Sequence, residues 1–273
     1  MNILIYLDSE RYNHPPVMMG KIIARATKAR LNVLVVIPKD GHLENGEAVA
    51  DQVKIDLDGL SPRVFIKQGS PGDIIKEELL QEDYQLLITN ADRISRFKKS
   101  VDVDPMLIKQ SIISLLLTQN TKPKLDKILL CSGCKEDDFS LITQEAGFAH
   151  DLGASVTLLH VFPGAVPTMY TGLDQIDETV EEILQTETPF AQHLRHAVEI
   201  LEEMKIDSEV KIRRGIPIEE IIRETQLENY DLVIIGSSRA HEGLKEMIMG
   251  NLTIKIIDKI ELPVLVIGTR VLA

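Results

Sequence analysis

The chain has little cysteine, no excess of basic charge and no long apolar run. Two cysteines in 273 residues cannot build a disulfide framework. Lys and Arg number 30 against 42 Asp and Glu, for a formal net charge of −12. Nucleic acid asks for a basic footprint, so it is not an expected partner, and an anionic membrane surface fits no better. No apolar stretch approaches the roughly 18 residues of a membrane span. The N-terminal MNILIYLDSE reads as a strand followed by acid rather than as a basic signal peptide. G-x-S-x-G, H-E-x-x-H and a Walker loop are all missing, and no efficient catalysis is expected. A cytoplasmic globular protein is the expectation.

What is present is alternation. Short runs rich in Ile, Leu and Val fall at 2–7, 33–37, 64–66, 86–89 and 113–118, and read as buried strands. Helical patterns lie between them at 16–30 and 73–81, with a short one at 106–111. Residues 39–48 are polar and read as loop, and 118–125 (TQNTKPKL) as a linker. The pattern then restarts. Strands are expected at 128–131, 156–161, 210–212, 232–235 and 264–267, and helices at 137–152 and 217–225. A longer insertion, 163–207, holds a loop and two helical patterns near 174–186 and 190–204, with Thr188 as a cap ahead of Pro189. Strands alternating with helices argue for an α/β fold with parallel sheets.

The restart is a repeat. Residues 64–93 slide onto 210–239 without gaps. Val64, Ile66, Gly69, Pro71, Ile75, Glu78, Glu82, Tyr84, Leu86, Ile88 and Arg93 meet identical residues there. Secondary structure alone does not place Gly, Pro and Tyr in register as well. Two homologous domains are expected, 1–121 and 122–273, each a mostly parallel five-stranded sheet with flanking helices. The apolar runs 114–118 and 264–267 would aggregate as bare sheet edges, so the two are expected to pair within the chain as an internal pseudo-dimer. A homodimer is left open.

One stretch concentrates the site chemistry. In DLVIIGSSRAHEGLKEMIMGNLT, 231–253, a strand ends at Gly236, a polar loop follows and a helical pattern carries Gly250. Strand, glycine-containing loop and helix is an arrangement that holds anions with backbone N–H groups. Cys131-Ser-Gly-Cys134, with His160 close by if its strand is a neighbour, allows a thiol or zinc sensor. Packing explains Cys131 equally, and zinc wants four ligands. Arg93, Arg96, Lys98 and Lys99, and Lys211, Arg213 and Arg214, read as solvated basic faces. His193, His196, Glu199 and Glu203 read as a polar helix face.

Taken in order, these elements resemble the universal stress protein family in its tandem form, over nearly the whole chain. The resemblance rests on a first strand ending in Asp8, the His160–Val161 pair, the turns Gly69–Pro71 and Gly215–Pro217, the glycine loop after the fourth strand, and the closing PVLVI at 263–267. It implies two Rossmann-like domains of the adenine nucleotide α-hydrolase type. It also implies a stress-response module binding ATP or AMP, with or without magnesium, and any hydrolysis would be slow. Nucleotide-binding members carry G-x2-G-x9-G-[ST] after the fourth strand. Here Gly236 matches the first glycine, after which Ser237 and Ser238 lead to Arg239 in place of the second. Gly250 matches the third, and Asn251, before Leu252, replaces the hydroxyl residue. In the first half Asn90 stands for the first glycine. Asp8 keeps the family's first-strand Asp, whereas the second half has Gly133 there. The second domain is therefore the expected site, with Arg239 able to pair with phosphate. The alternatives are a nucleotide-free interaction protein with decayed pockets, the Cys131/Cys134 sensor, and a hydrolase of the wider class.

Overall fold

The computed structural model describes residues 1–10, 12, 14–90, 113–119, 124–132, 139–163, 180–236, 255–256 and 259–268. The chain forms two compact units, Met1–Leu125 with Glu261–Ala273, and Asp126–Ile260. Among the described residues no helix is long and apolar enough to cross a membrane.

The first unit runs β1 (Asn2–Asp8), α1 (His14–Thr27), β2 (Arg30–Ile37), α2 (Leu43–Asp56), β3 (Arg63–Gln68), α3 (Pro71–Gln81), β4 (Leu86–Asn90) and β5 (Ser114–Thr118). The strand order is β3-β2-β1-β4-β5, all parallel. β10 (Val264–Ile267) then adds antiparallel to β5, with Val264 opposite Leu117 and Val266 opposite Leu115. The two apolar runs thus cover one another. β1, β2, β4, β5 and β10 are buried over most of their length, which is why they read as continuous Ile/Leu/Val runs instead of alternating ones, whereas β3 at the end of the strand order is only partly buried.

The second unit runs β6 (Lys127–Ser132), α4 (Phe139–Leu152), β7 (Ser155–Pro163), α5 (Val180–Leu184), α6 (Pro189–Glu203), β8 (Ser208–Gly215), α7 (Pro217–Leu227) and β9 (Leu232–Gly236). Its described strands lie in the parallel order β9-β6-β7-β8. Thr188 caps α6, its hydroxyl accepting the Ala191 N–H at 3.2 Å, and Pro189 fills the first turn.

One element of the first unit departs from the sequence reading. Residues 39–48 read as loop, yet α2 begins at Leu43. Gly46 sits inside it, and glycine usually argues against a helix. Here packing overrides propensity, because a Cβ on Gly46 would stand 2.8 Å from Ile37 Cδ1 and 3.1 Å from Ile66 Cγ2. Val49, Ala50 and Val53 continue the same buried stripe.

The repeat has a physical cause. Gly69 and Gly215 hold φ of +149° and +152°, in the left-handed region that favours glycine, and Pro71 and Pro217 open the helices that follow. Glu78 is buried, and its carboxylate accepts from Tyr84 Oη at 2.8 Å and Lys67 Nζ at 2.8 Å. The counterpart Glu224 is fully buried. It accepts from Tyr230 Oη at 2.8 Å, Lys211 Nζ at 2.9 Å and Arg213 Nε at 2.9 Å. A buried carboxylate persists only when paired and hydrogen-bonded, so Glu, Tyr and the cation recur together. Lys211 and Arg213 are therefore partners of a buried anion and not part of a solvated face.

Candidate functional site

The second unit has a topological switch point. From β6 the chain crosses to β7 on one side, and β9 returns on the other. Open α/β sheets leave a crevice at such a point, outside the carboxyl ends of the strands. Cys131 pairs with Ile235, and one step further Ser132 and Gly236 end their strands. Ser132 is also in register with His160, and Val161 follows on β7. Gly236, Ser132 and the His160–Val161 pair thus lie across three adjacent strand ends, each strand about 4.8 Å from the next. Of the expected site residues, Gly133, Ser237, Ser238, Arg239, Gly250, Asn251 and Leu252 lie outside the described residues, as does Cys134.

His160 is buried and belongs to an aromatic group. Its ring centroid lies 4.8 Å from that of Phe162, in a T-shaped contact, and 4.6 Å from that of Phe190. Phe162 and Phe190 are themselves 4.4 Å apart and tilted by 59°. Phe190 comes from the first turn of α6, inside the insertion. Sequence reasoning missed both phenylalanines. The one signal was Phe162 directly after the His160–Val161 pair. His193, read as part of a polar face, is buried on α6, whereas His196 is half exposed and lies 3.6 Å from Glu199.

Cys131 and His160 do not converge. Cys131 is in register with Leu159, so side-chain alternation sends Cys131 and His160 to opposite faces of the sheet. The thiol is buried. Burial, then the charges of Glu145 and Glu224, push its pKa up, so it stays protonated and is a poor nucleophile. Among the described residues no three His, Cys, Asp or Glu side chains gather as metal ligands.

The first unit has the same switch point, between β1 and β4. Asp8 ends β1 there, and its Oδ1 accepts the Glu10 N–H at 2.8 Å, closing the turn that leaves the strand. Asn90, at the position of the family's first glycine, is buried at the end of β4.

The family model of the universal stress proteins matches residues 124–268. The chain belongs to the universal stress protein family. This universal stress protein also shares its fold with solved structures over nearly its whole length. A protein of unknown function from Pseudomonas aeruginosa PAO1 is 20% identical, with 98% of this chain and 92% of that chain covered, at a TM-score of 0.68. A universal stress protein from Archaeoglobus fulgidus DSM 4304 is 13% identical over 97% and 96% of the two chains, at 0.60. The cytoplasmic domain of a prokaryotic cation chloride cotransporter is 12% identical over 98% and 95%, at 0.52. No curated protein matches this universal stress protein. The fold alone leaves its function to be argued from its own residues.

Proposed function

We propose that the second unit binds an adenine nucleotide, ATP or AMP, at the carboxyl edge of its sheet. The protein acts as a cytoplasmic stress-response sensing module without efficient catalysis. One observation carries this reading: Gly236, Ser132 and His160–Val161 share neighbouring strand ends around the switch point. Gly236 lets backbone N–H groups approach phosphate, and Arg239, three residues on, supplies a cation for it. In the first unit Asp8 already holds its own turn and Asn90 replaces the glycine, which favours the second unit as the site. Magnesium would ride with the triphosphate. The nucleotide-free reading keeps one argument, that Arg239 and Asn251 break the family's phosphate motif.

A ligand that binds only the folded state stabilises it, by about 2.7 kcal/mol at a hundredfold excess over Kd. The melting temperature should therefore rise by several degrees in excess AMP or ATP with magnesium. Gly236→Val should melt like the native protein alone and gain nothing from nucleotide. A native protein whose melting is indifferent to both nucleotides would defeat the proposal.

A further inference from the structure

The two units treat the end of their second strand differently. Counting Ile128 as Ile3, Phe162 stands where the first unit has Ile37, and each is followed by proline. Ile37 is 1% exposed and closed over by backbone. A Cβ on Gly41 or on Gly46 would lie 2.8 Å from its side chain. Phe162, a larger apolar side chain at the same place, is left partly exposed, and so is its neighbour Phe190. The insertion that lengthens the second unit is what delivers Phe190. Buried His160 touches both rings from its own position on β7 and fixes their orientation.

We propose that Phe162 and Phe190 form a stacking platform for the purine base of a nucleotide held in the second unit. The inference rests on the nucleotide reading above. Its geometry suits that ligand. Phe162 lies near the carboxyl end of β7, two strand spacings or about 10 Å from β9, where Gly236 ends its strand. A nucleoside phosphate spans a comparable length between phosphate and base. Aromatic rings take a purine by its π face, so the platform prefers a nucleotide to a bare sugar phosphate and tolerates more than one purine.

The chain has no tryptophan, so Phe162→Trp creates a single reporter at the platform. AMP should quench its emission, and ribose 5-phosphate should not. Phe162→Leu and Phe190→Leu keep the site apolar. Each should weaken AMP binding measured by calorimetry on the order of tenfold, with ribose 5-phosphate unchanged and the native melting temperature retained. Suppose native protein binds AMP, Gly236→Val abolishes that binding, and both leucine variants bind as native. The platform is then wrong and the nucleotide site stands. Unchanged tryptophan emission at saturating AMP overturns the platform in the same way. If native protein binds no AMP at all, the nucleotide reading fails and the platform with it.

Discussion

Glu224→Ala should lower the unfolding free energy by about 3 kcal/mol, the lower end of what removing one partner of a buried ion pair costs. Glu224 is fully buried between α7 and β8, and three side chains donate to it. Lys211 and Arg213 keep 17% and 28% of their side-chain surface exposed, so water partly compensates them once the anion is gone, which keeps the loss at that lower end. The buried Tyr230 hydroxyl loses Glu224 as acceptor, and Glu224→Gln should recover part of the loss by accepting from it. The effect is pH-dependent with a definite sign. Burial alone would raise the Glu224 pKa, but the hydrogen bonds from Lys211, Arg213 and Tyr230 outweigh it and hold the carboxyl below its ordinary value. A group depressed in the folded state stabilises fully above its unfolded pKa, about 4.3, and loses that contribution as the pH falls through the folded value. The gap between native and Glu224→Ala should be widest near neutrality, begin to narrow below about pH 4, and go on narrowing as the pH falls through the lower folded value. Neighbouring Glu228, held down to about 2 by Lys127 and then by Lys211, adds to the same acid sensitivity. Urea titrations across pH measure both. A constant gap down to strong acid would mean that the network does not charge as described.

Gly268→Val should be comparably damaging through sterics alone. Gly268 follows β10 and lies against the start of β5. A Cβ there would collide with the Ile113 carbonyl and stand 2.8 Å from Ser114 N. These are backbone atoms and cannot rotate away. The same shift would break the bond from Gly268 N to Ser114 Oγ at 3.1 Å. Overpacking of this kind costs about 1–3 kcal/mol when side chains can adjust, and the upper end or more applies here. The expected consequence is local. β10 leaves β5, and Leu115 to Leu117 become a bare apolar edge that self-associates. Hydrogen exchange should show β5 amides losing protection while β1 to β3 keep theirs, and light scattering should rise with concentration. Unchanged β5 protection would mean that the closing strand tolerates a side chain at this position.

Much of the architecture was legible because burial on both faces writes itself as unbroken apolar runs. β1, β2, β4, β6, β7, β9 and β10 all announce themselves that way, and the β5–β10 pairing follows from two apolar edges that need cover. The repeat was legible for a different reason. Gly69 and Gly215 need positive φ, and Glu78 and Glu224 need the same tyrosine and cation. What stayed hidden was tertiary. α2 was obscured by Gly46, which is small because Ile37 and Ile66 crowd it. Lys211 and Arg213 look like surface charges until α7 places Glu224 against them. His193 looks polar by composition but faces inward from α6. In the site, motif order marked Gly236 and the His160–Val161 pair. Nothing in the spacing announces that Phe190, many residues downstream of Phe162, folds back onto it.

The proposed adenine nucleotide in the second unit is open to native mass spectrometry of the freshly purified full chain. The expected spectrum carries a mass increment of one adenine nucleotide per chain, present as purified or after adding ATP and magnesium, and absent from Gly236→Val under the same conditions. A bare chain mass that excess ATP and magnesium leave unchanged would rule the nucleotide out and leave a nucleotide-free interaction protein.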